Sequence, residues 1–299
     1  MSRAILGLEL QDHRIVAVAI DEAGQTLGRA EAAFSGNPGT APFTAAEQAA
    51  AGSPTPIASF GIAAHNPESP SCGAVLQALA GRYPGPSLED GGTPSGTAAA
   101  VAEAWIGAAR GAQDVVFFAV AEHAVAGILR NGSPVLGRNQ RAATIGWLAL
   151  NPVEREDYRK IGCLEAEVAA AGIVRRLIWR IKAGDRSRVQ DRVNGDLASI
   201  TAEHVLQAAR EGDGVSISVM RDTAKYLGMA AGNLVLIADP AVLVLGGIMA
   251  SASDLLFEPV CAELGRRVPS SSLEALATVP ATLGVEAAAI GAARLAALR

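Results

Sequence analysis

Cysteine is scarce: Cys72, Cys163 and Cys261 are the only three in 299 residues. An odd number at such wide spacing excludes a disulfide framework and points to a reducing compartment. Aromatic residues make up only 4%, so any core must be built from Ala, Leu, Val and Ile. Charged residues are 18%, too few for a disordered chain, and Lys plus Arg (25) are outnumbered by Asp plus Glu (30). No concentrated basic surface of the kind nucleic acid needs is visible. The densest basic run, Arg175-Arg176-Leu177-Ile178-Trp179-Arg180-Ile181-Lys182, has helical spacing and reads as a solvated helix face. No stretch reaches the ~18 uninterrupted apolar residues of a membrane span, and the opening MSRAILGLEL has no long apolar segment of a signal peptide. These absences predict a cytoplasmic chain with neither a nucleic-acid nor a membrane partner.

What is present is core material, at 50% hydrophobic. At about 100–200 residues per domain, the length suggests two domains or one large one. The first 34 residues read as a meander. Ile5–Leu10, Arg14–Ile20 and Gln25–Phe34 are strands, with turns at Gln11-Asp12-His13 and Asp21–Gly24. Helix, strand and helix follow at 41–51, 56–64 and 72–83, and then a Gly/Pro/Ser loop over 84–96. The Ala-rich run TAAAVAEAWIGAARGA from Thr97 is a helix with Thr97 as a plausible N-cap. The plan then restarts with strands Asp114–Val120 and Val125–Leu129 and a turn at Asn131-Gly132. Helices are expected at Cys163–Ala183, Thr201–Glu211 and Gly214–Ala238. The run Pro240–Leu245 has a continuous apolar face, as a doubly covered central strand does, and it ends in Gly246-Gly247. Leu255–Arg267 and Ala287–Arg299 complete the pattern. Two halves of similar plan predict an α/β fold with two related domains.

Four segments carry a resemblance: AAAVAEAWIGAARGAQDVVFF, Ile161–Ala166, Asp239–Gly247 and Ala288–Ala293. In this order and spacing the chain resembles the ROK family of repressors, open reading frames and sugar kinases. That resemblance implies two actin-like ATPase (ribonuclease H-like) domains with an interdomain cleft. The N-terminal domain would span 1–112, completed by the C-terminal helix 286–299, and the C-terminal domain 113–285. Active members phosphorylate a sugar from ATP and magnesium, and most carry a structural zinc. Family repressors carry an N-terminal DNA-binding segment, for which a first strand starting near residue four leaves no room.

The chain departs from the family at each chemical position. The first phosphate loop, D-x-G-G-T-K in the family, reads Glu9-Leu10-Gln11-Asp12-His13-Arg14. The second, G-T-G-x-G-G-G, reads Ala121-Glu122-His123-Ala124-Val125-Ala126-Gly127. Bare glycines let backbone N–H groups approach phosphate; here only Gly127 survives, and Asp12 and Glu122 add negative charge. The resemblance thus leaves a degenerate nucleotide cleft of Glu9, Asp12, His13, Glu122, His123, Gly127, Gly246 and Gly247. The family's base lies in N-D-A-N, which reads Pro94-Ser95-Gly96-Thr97, so Ser95 stands where the aspartate belongs. The nearest carboxylate is Asp90, and no catalytic residue is expected.

The sugar motif E-x-G-H reads Thr144-Ile145-Gly146-Trp147. Thr144, Trp147 and Glu165 remain as ligand candidates, with Asn66 and Glu68 after the fourth strand. The zinc positions hold Trp147, Glu156, Tyr158 and Cys163, and one thiol cannot make a four-coordinate zinc site. His65 and His204 have no partners at ligand spacing, and His13 and His123 read as solvated loop residues, so no metal is expected. The reading that follows is a non-catalytic pseudokinase, a sensor of a small polar or sugar ligand or an assembly partner. It would pair as a homodimer through Leu164, Val168, Val174, Leu177, Ile178 and Ile181, and would need no cofactor. The alternative is an active ATP-dependent, glucokinase-like phosphotransferase with rebuilt loops. A third reading has Asp12, His13, Glu122 and His123 face each other as acid and base, or around a divalent cation. If nucleotide no longer binds, cross-cleft pairs such as Arg14 or His13 with Glu122 are expected to fill the space a triphosphate would occupy.

Overall fold

The structure, a computed structural model, describes residues 3–34, 39–85 and 91–298. Strands β1 (Ala4–Leu10) and β2 (Arg14–Ile20) are almost wholly buried, which is why neither shows polar alternation. They form an antiparallel hairpin with Ile5 opposite Ile20 and Leu10 opposite Ile15. At the sheet edge β3 (Thr26–Ala33) runs antiparallel to β2 and alternates in exposure. After α1 (Ala41–Ala51), β4 (Ile57–Ala64) returns parallel to β1. After α2 (Pro70–Ala80), the short β5 (Thr93–Pro94) pairs parallel to β4 inside the stretch expected to be loop. The sheet order is β3-β2-β1-β4-β5. Helices α1 and α2 cover one face, where Leu6, Leu8, Ile15 and Phe60 pack on Ala46, Val75 and Leu79.

Helix α3 (Ser95–Trp105) leads into the second lobe, where β6 (Val115–Val120) and β7 (Ala124–Arg130) form the hairpin. Next come β8 (Ser133–Pro134), α4 (Glu156–Ile161), α5 (Cys163–Val168), α6 (Ala170–Lys182), α7 (Arg188–Arg192), α8 (Ala202–Arg210) and α9 (Gly214–Ala238). The parallel strands β9 (Val242–Gly247) and β10 (Ala277–Pro280) flank α10 (Ile248–Ser251), α11 (Ser253–Gly265) and α12 (Ser270–Glu274), and α13 (Ala287–Ala297) closes the chain. The second sheet runs β10-β9-β6-β7-β8, with β6 antiparallel to β7 and parallel to β9. This is the first sheet's order and direction again, so the two halves share one topology. The fold is α/β with two actin-like domains.

The single helix expected over Cys163–Ala183 is two. Ala169 is extended (φ −66°, ψ 163°), and α6 sets off at a new angle from α5. Two residues of α6 meet the Ala166 carbonyl at the break: Arg175 Nη2 donates to it at 2.7 Å, and Gly172 approaches so closely that a Cβ would lie 2.3 Å from it. The dimer surface expected on these helices is also corrected. Leu164, Val168, Leu177 and Ile181 are buried in the second lobe's own core, and Val174 and Ile178 pack partly against it.

Helix α13 returns to the first lobe, setting Ala289, Ile290 and Ala293 against Ile5, Val18 and Ile20. Its approach depends on Gly7 and Gly61, partners in the β1–β4 register. A Cβ on Gly7 would lie 1.9 Å from the Ala289 carbonyl oxygen, and one on Gly61 2.1 Å from that of Ala292. Among the described residues no helix is long and apolar enough to cross a membrane.

Candidate functional site in the interlobe cleft

The loops that follow β1, β4 and β6 all leave the carboxyl ends of parallel strands, where open α/β sheets place their ligands. Between the loops after β4 and β6 and helix α5 lies a cavity of about 420 Å³. Its wall includes His65, Asn66, Glu68, Ser95, His123, Arg141, Thr144, Trp147 and Glu165.

Glu165 sits in the first turn of α5 and is 7% exposed. Gly162 puts it there: φ of +91° is open to glycine, and a Cβ would strike the Gly146 carbonyl at 2.2 Å. The 144–147 turn therefore lies against α5, and a Cβ on Gly146 would come within 2.9 Å of Glu165 Oε2.

Glu165 is the inner end of a chain of polar contacts across the cleft. Its Oε2 accepts from the Ala124 N–H at 3.2 Å, and its Oε1 lies 2.9 Å from His123 Nδ1. On the other ring edge, His123 Nε2 is 3.0 Å from Asp12 Oδ2. Asp12 in turn donates its backbone N–H to Glu122 Oε2 at 3.2 Å. The His65 ring stacks on that of His123, centroids 3.9 Å apart and planes 10° from parallel. The Glu165 hydrogen bond holds His123 above the usual imidazole range against the opposing effect of burial, and the charges of Glu165 and Asp12 add to it. Burial, and then the charge of His123, push His65 below that range. One ring of the stack is thereby favoured as cation and the other as neutral.

The cross-cleft pairs expected from sequence exist with other partners. Arg14 Nε donates to Gln11 Oε1 at 2.6 Å, and its guanidinium lies 3.6 Å from Glu31, so it does not reach Glu122. As the first residue of β2 it sits beside β3, which fixes that choice. His13 is exposed at the β1–β2 turn. His65, set aside for want of ligand spacing, is brought to His123 and Glu165 by the topology. The signal was available: His65 follows β4 and Asp12 follows β1, and these strands are parallel neighbours.

Glu9 is 9% exposed, and burial raises its carboxyl above the ordinary range. The Gln11 amide, donating at 2.8 Å, opposes that shift, as do Ser95 and the charge of Arg14, while Glu122 adds to it. The Ser95 hydroxyl, in a residue 5% exposed, has no hydrogen-bond partner of normal geometry among the described residues. Asp90 lies outside the described residues. At the cavity mouth Arg141 Nη2 pairs with Glu68 Oε2 across the lobes, Asn66 Oδ1 accepts from the Glu68 N–H at 3.2 Å, and Thr144 donates to the Arg141 carbonyl at 2.7 Å. Trp147 is 55% exposed.

The surviving glycines are accounted for by packing. A Cβ on Gly127 would meet the Gly96 carbonyl of α3 at 2.1 Å, one on Gly246 the Phe117 ring at 2.9 Å, and one on Gly247 the Val120 carbonyl at 2.0 Å. At the four positions matched to zinc ligands, Trp147 is exposed and Glu156 accepts from Lys160 at 2.7 Å. Tyr158 donates to the buried Glu167, and Cys163 packs on Tyr158 and Ala166. An indole, a solvated carboxylate, a phenol and one thiol do not fit structural zinc.

Residues 96–299 match the model of the ROK family. Among curated proteins, the chain is 32% identical over 165 residues to a glucokinase of Halalkalibacterium halodurans, covering 54% of this chain and 49% of that one. It is 29% identical over 162 residues to the DNA-binding transcriptional dual regulator NagC of Escherichia coli, covering 54% and 38%. The chain thus spans under half the length of either relative. Among solved structures, a ROK family glucokinase from Streptomyces griseus, in complex with glucose and AMPPNP, superposes with a TM-score of 0.81 at 22% identity, over 99% of this chain and 100% of that one. A ROK family transcriptional regulator gives 0.79 at 19% identity, over 97% and 76%. A family model covering more than two thirds of the chain, over the same duplicated sheets, establishes the conclusion: this protein belongs to the ROK family.

Proposed function

We propose that this protein is a non-phosphorylating member of the family that binds a small polar or sugar ligand between its lobes and acts as a sensor or assembly partner. The observation that carries the reading is the Asp12–His123–Glu165 chain, with contacts of 3.0 and 2.9 Å. It fills with side chains the place that the resemblance gives to phosphate. The Asp12 N–H is already taken by Glu122, and both residues are acidic. A carboxylate about 4 Å from a phosphate charge repels it by roughly 4 kcal/mol at an effective dielectric near 20. Glu9, buried and drawn toward its neutral form, is a poor partner for magnesium. The residues present therefore do not fit a magnesium triphosphate. Beside Ser95 stands only the Glu9 carboxyl, which burial draws toward its neutral form, and a hydroxyl without an ionised base cannot deprotonate a sugar near neutral pH.

Ligand binding itself is supported by the cavity volume, which falls within the range of about 300–1,000 Å³ for small-molecule sites. The buried Ser95 hydroxyl and the carboxylate of Glu165 supply polar groups for hydroxyls. A homodimer, implied by the resemblance, belongs to the proposal, through surface other than the α5–α6 residues committed to the core.

The test is a coupled phosphotransfer assay over a sugar panel, with thermal shift on the same panel. Stabilisation by at least one sugar, none by ATP–magnesium, and no turnover are expected. Turnover, or an ATP–magnesium Kd below about 100 μM (roughly −5.5 kcal/mol), would overturn the reading in favour of an active kinase.

A further inference from the structure

His65, His123 and Glu165 come from three separate elements, yet each offers a ligand atom within 4.8 Å of the other two. No other group of three or more His, Cys, Asp or Glu is so placed among the described residues. The geometry points to a site for a divalent transition cation of the zinc, cobalt or nickel kind, held by His65, His123 and Glu165. It is separate from the four positions matched to structural zinc, and it stands independently of whether a sugar binds or is phosphorylated.

Three features support a built site. The first is donor chemistry: two imidazoles and one carboxylate suit zinc, cobalt and nickel, whereas magnesium and calcium prefer all-oxygen sets. The second is orientation from behind. Asp12 Oδ2, 3.0 Å from Nε2, is placed to accept from that nitrogen, so that a cation displacing the proton between Nδ1 and Glu165 Oε1, 2.9 Å apart, would find Nδ1 free to ligate. A carboxylate behind a histidine is the usual second layer of a metal centre. The Ala124 N–H likewise holds Glu165 Oε2 at 3.2 Å, so Oε1 is the oxygen turned to the imidazole. The third is distance. Ligands about 2.0–2.1 Å from a tetrahedral ion lie about 3.3 Å from each other. The Nδ1–Oε1 pair needs to open by a few tenths of an ångström, and the His65 ring needs to turn out of its near-parallel stack, because an ion lies in the plane of each imidazole that ligates it. Three protein ligands leave a coordination position, and the adjoining cavity of about 420 Å³ gives it access to water or to a hydroxyl of a cleft ligand.

The experiment uses the full chain, stripped with EDTA and dialysed, and titrated with zinc, cobalt and nickel ions by calorimetry. One site per chain with a Kd of about 10 μM or tighter for zinc is expected, and cobalt should give the visible absorption of a four- or five-coordinate ion. His65→Ala, His123→Ala and Glu165→Gln should each weaken binding by about 100-fold, and Asp12→Asn by about 10-fold. Thermal melts without metal establish that each variant is folded, and Glu165→Gln keeps the shape of the wall should an alanine fail. His13→Ala and Cys163→Ser should leave affinity unchanged. No saturable binding by the wild type up to roughly 1 mM metal would overturn the proposal. So would binding that survives both histidine substitutions, or that is lost in Cys163→Ser alone.

Discussion

The Glu103 carboxylate accepts the Leu283 N–H at 3.0 Å, across 180 positions of sequence. The same carboxylate takes the N–H of Thr282 at 3.0 Å, its hydroxyl at 3.2 Å and the N–H of Ala108 at 2.7 Å. Glu103 is 0% exposed, so its carboxylate has no water to turn to and depends on these donors. The bonds clasp α3 to the segment that launches α13. Hydrogen bonds to a charged group contribute about 1.5–3 kcal/mol each, and water at the exposed Thr282 recovers part of the loss, so Glu103→Ala should lower unfolding free energy by about 3 kcal/mol. Glu103→Gln, which keeps the shape but turns an amide toward N–H groups, should cost about 2 kcal/mol. Urea midpoints measure both, and a loss under about 1 kcal/mol for the alanine variant would contradict the clasp.

Two glycine substitutions should move stability in opposite directions. Gly7→Ala puts a methyl 1.9 Å from the Ala289 carbonyl and should cost about 3 kcal/mol by pushing α13 off the sheet. Gly73, exposed in α2, has nothing within 4 Å of an added Cβ. Gly73→Ala should therefore stabilise by about 0.5–1 kcal/mol through helix propensity. Thermal melts that show the same sign for both would refute the packing assigned to α13.

Glu9 yields a pH dependence. Its folded pKa is raised above 4.5, chiefly by burial. In the window between 4.5 and the folded value, the folded state holds the proton that the unfolded chain releases. Stability from this group is therefore greatest below the window and falls as pH rises through it. Glu9→Gln removes the penalty, so it should raise the melting temperature at pH 7, with the gain vanishing below about pH 4.5. A gain that is equal at pH 4 and pH 7 would show that Glu9 is ionised without penalty.

The polar chain across the cleft should hold the lobes together. His123→Ala deletes both of its side-chain links, at 2.9 and 3.0 Å, and the stack on His65. Small-angle scattering should report a larger radius of gyration than wild type, while Glu122→Ala, which removes only one bond to the Asp12 backbone, should change it less. An unchanged radius in His123→Ala would mean that α3 and its neighbours set the lobe angle alone.

Much of the fold was legible because it follows from local pattern. The continuous apolar run Pro240–Leu245 reads as a doubly covered strand, and the restart at Asp114 betrays the second sheet. The break at Ala169 was not legible, since it depends on a guanidinium from the next helix and on the close approach of Gly172 to the Ala166 carbonyl, which only the fold reveals. The dimer surface misled for a related reason. With 4% aromatics the second lobe fills its interior with many aliphatic side chains, so Leu164 and Leu177 looked surplus when they were needed. In the cleft, Asp12 and His123 were found through their loops, but which groups they touch depends on β-strand direction and on Gly162. Single-residue reading could not supply either.

The return of α13 to the first sheet has a consequence for biosynthesis. Gly7 and Gly61 emerge from the ribosome early, but the helix that covers them is made about 280 residues after β1. At roughly 5–20 residues per second, that face of the first sheet waits tens of seconds without its cover, and the second lobe's last strand, β10, is itself made only just before α13. The earlier half, complete in its strands but uncovered on one face for most of synthesis, is the natural client of a chaperone.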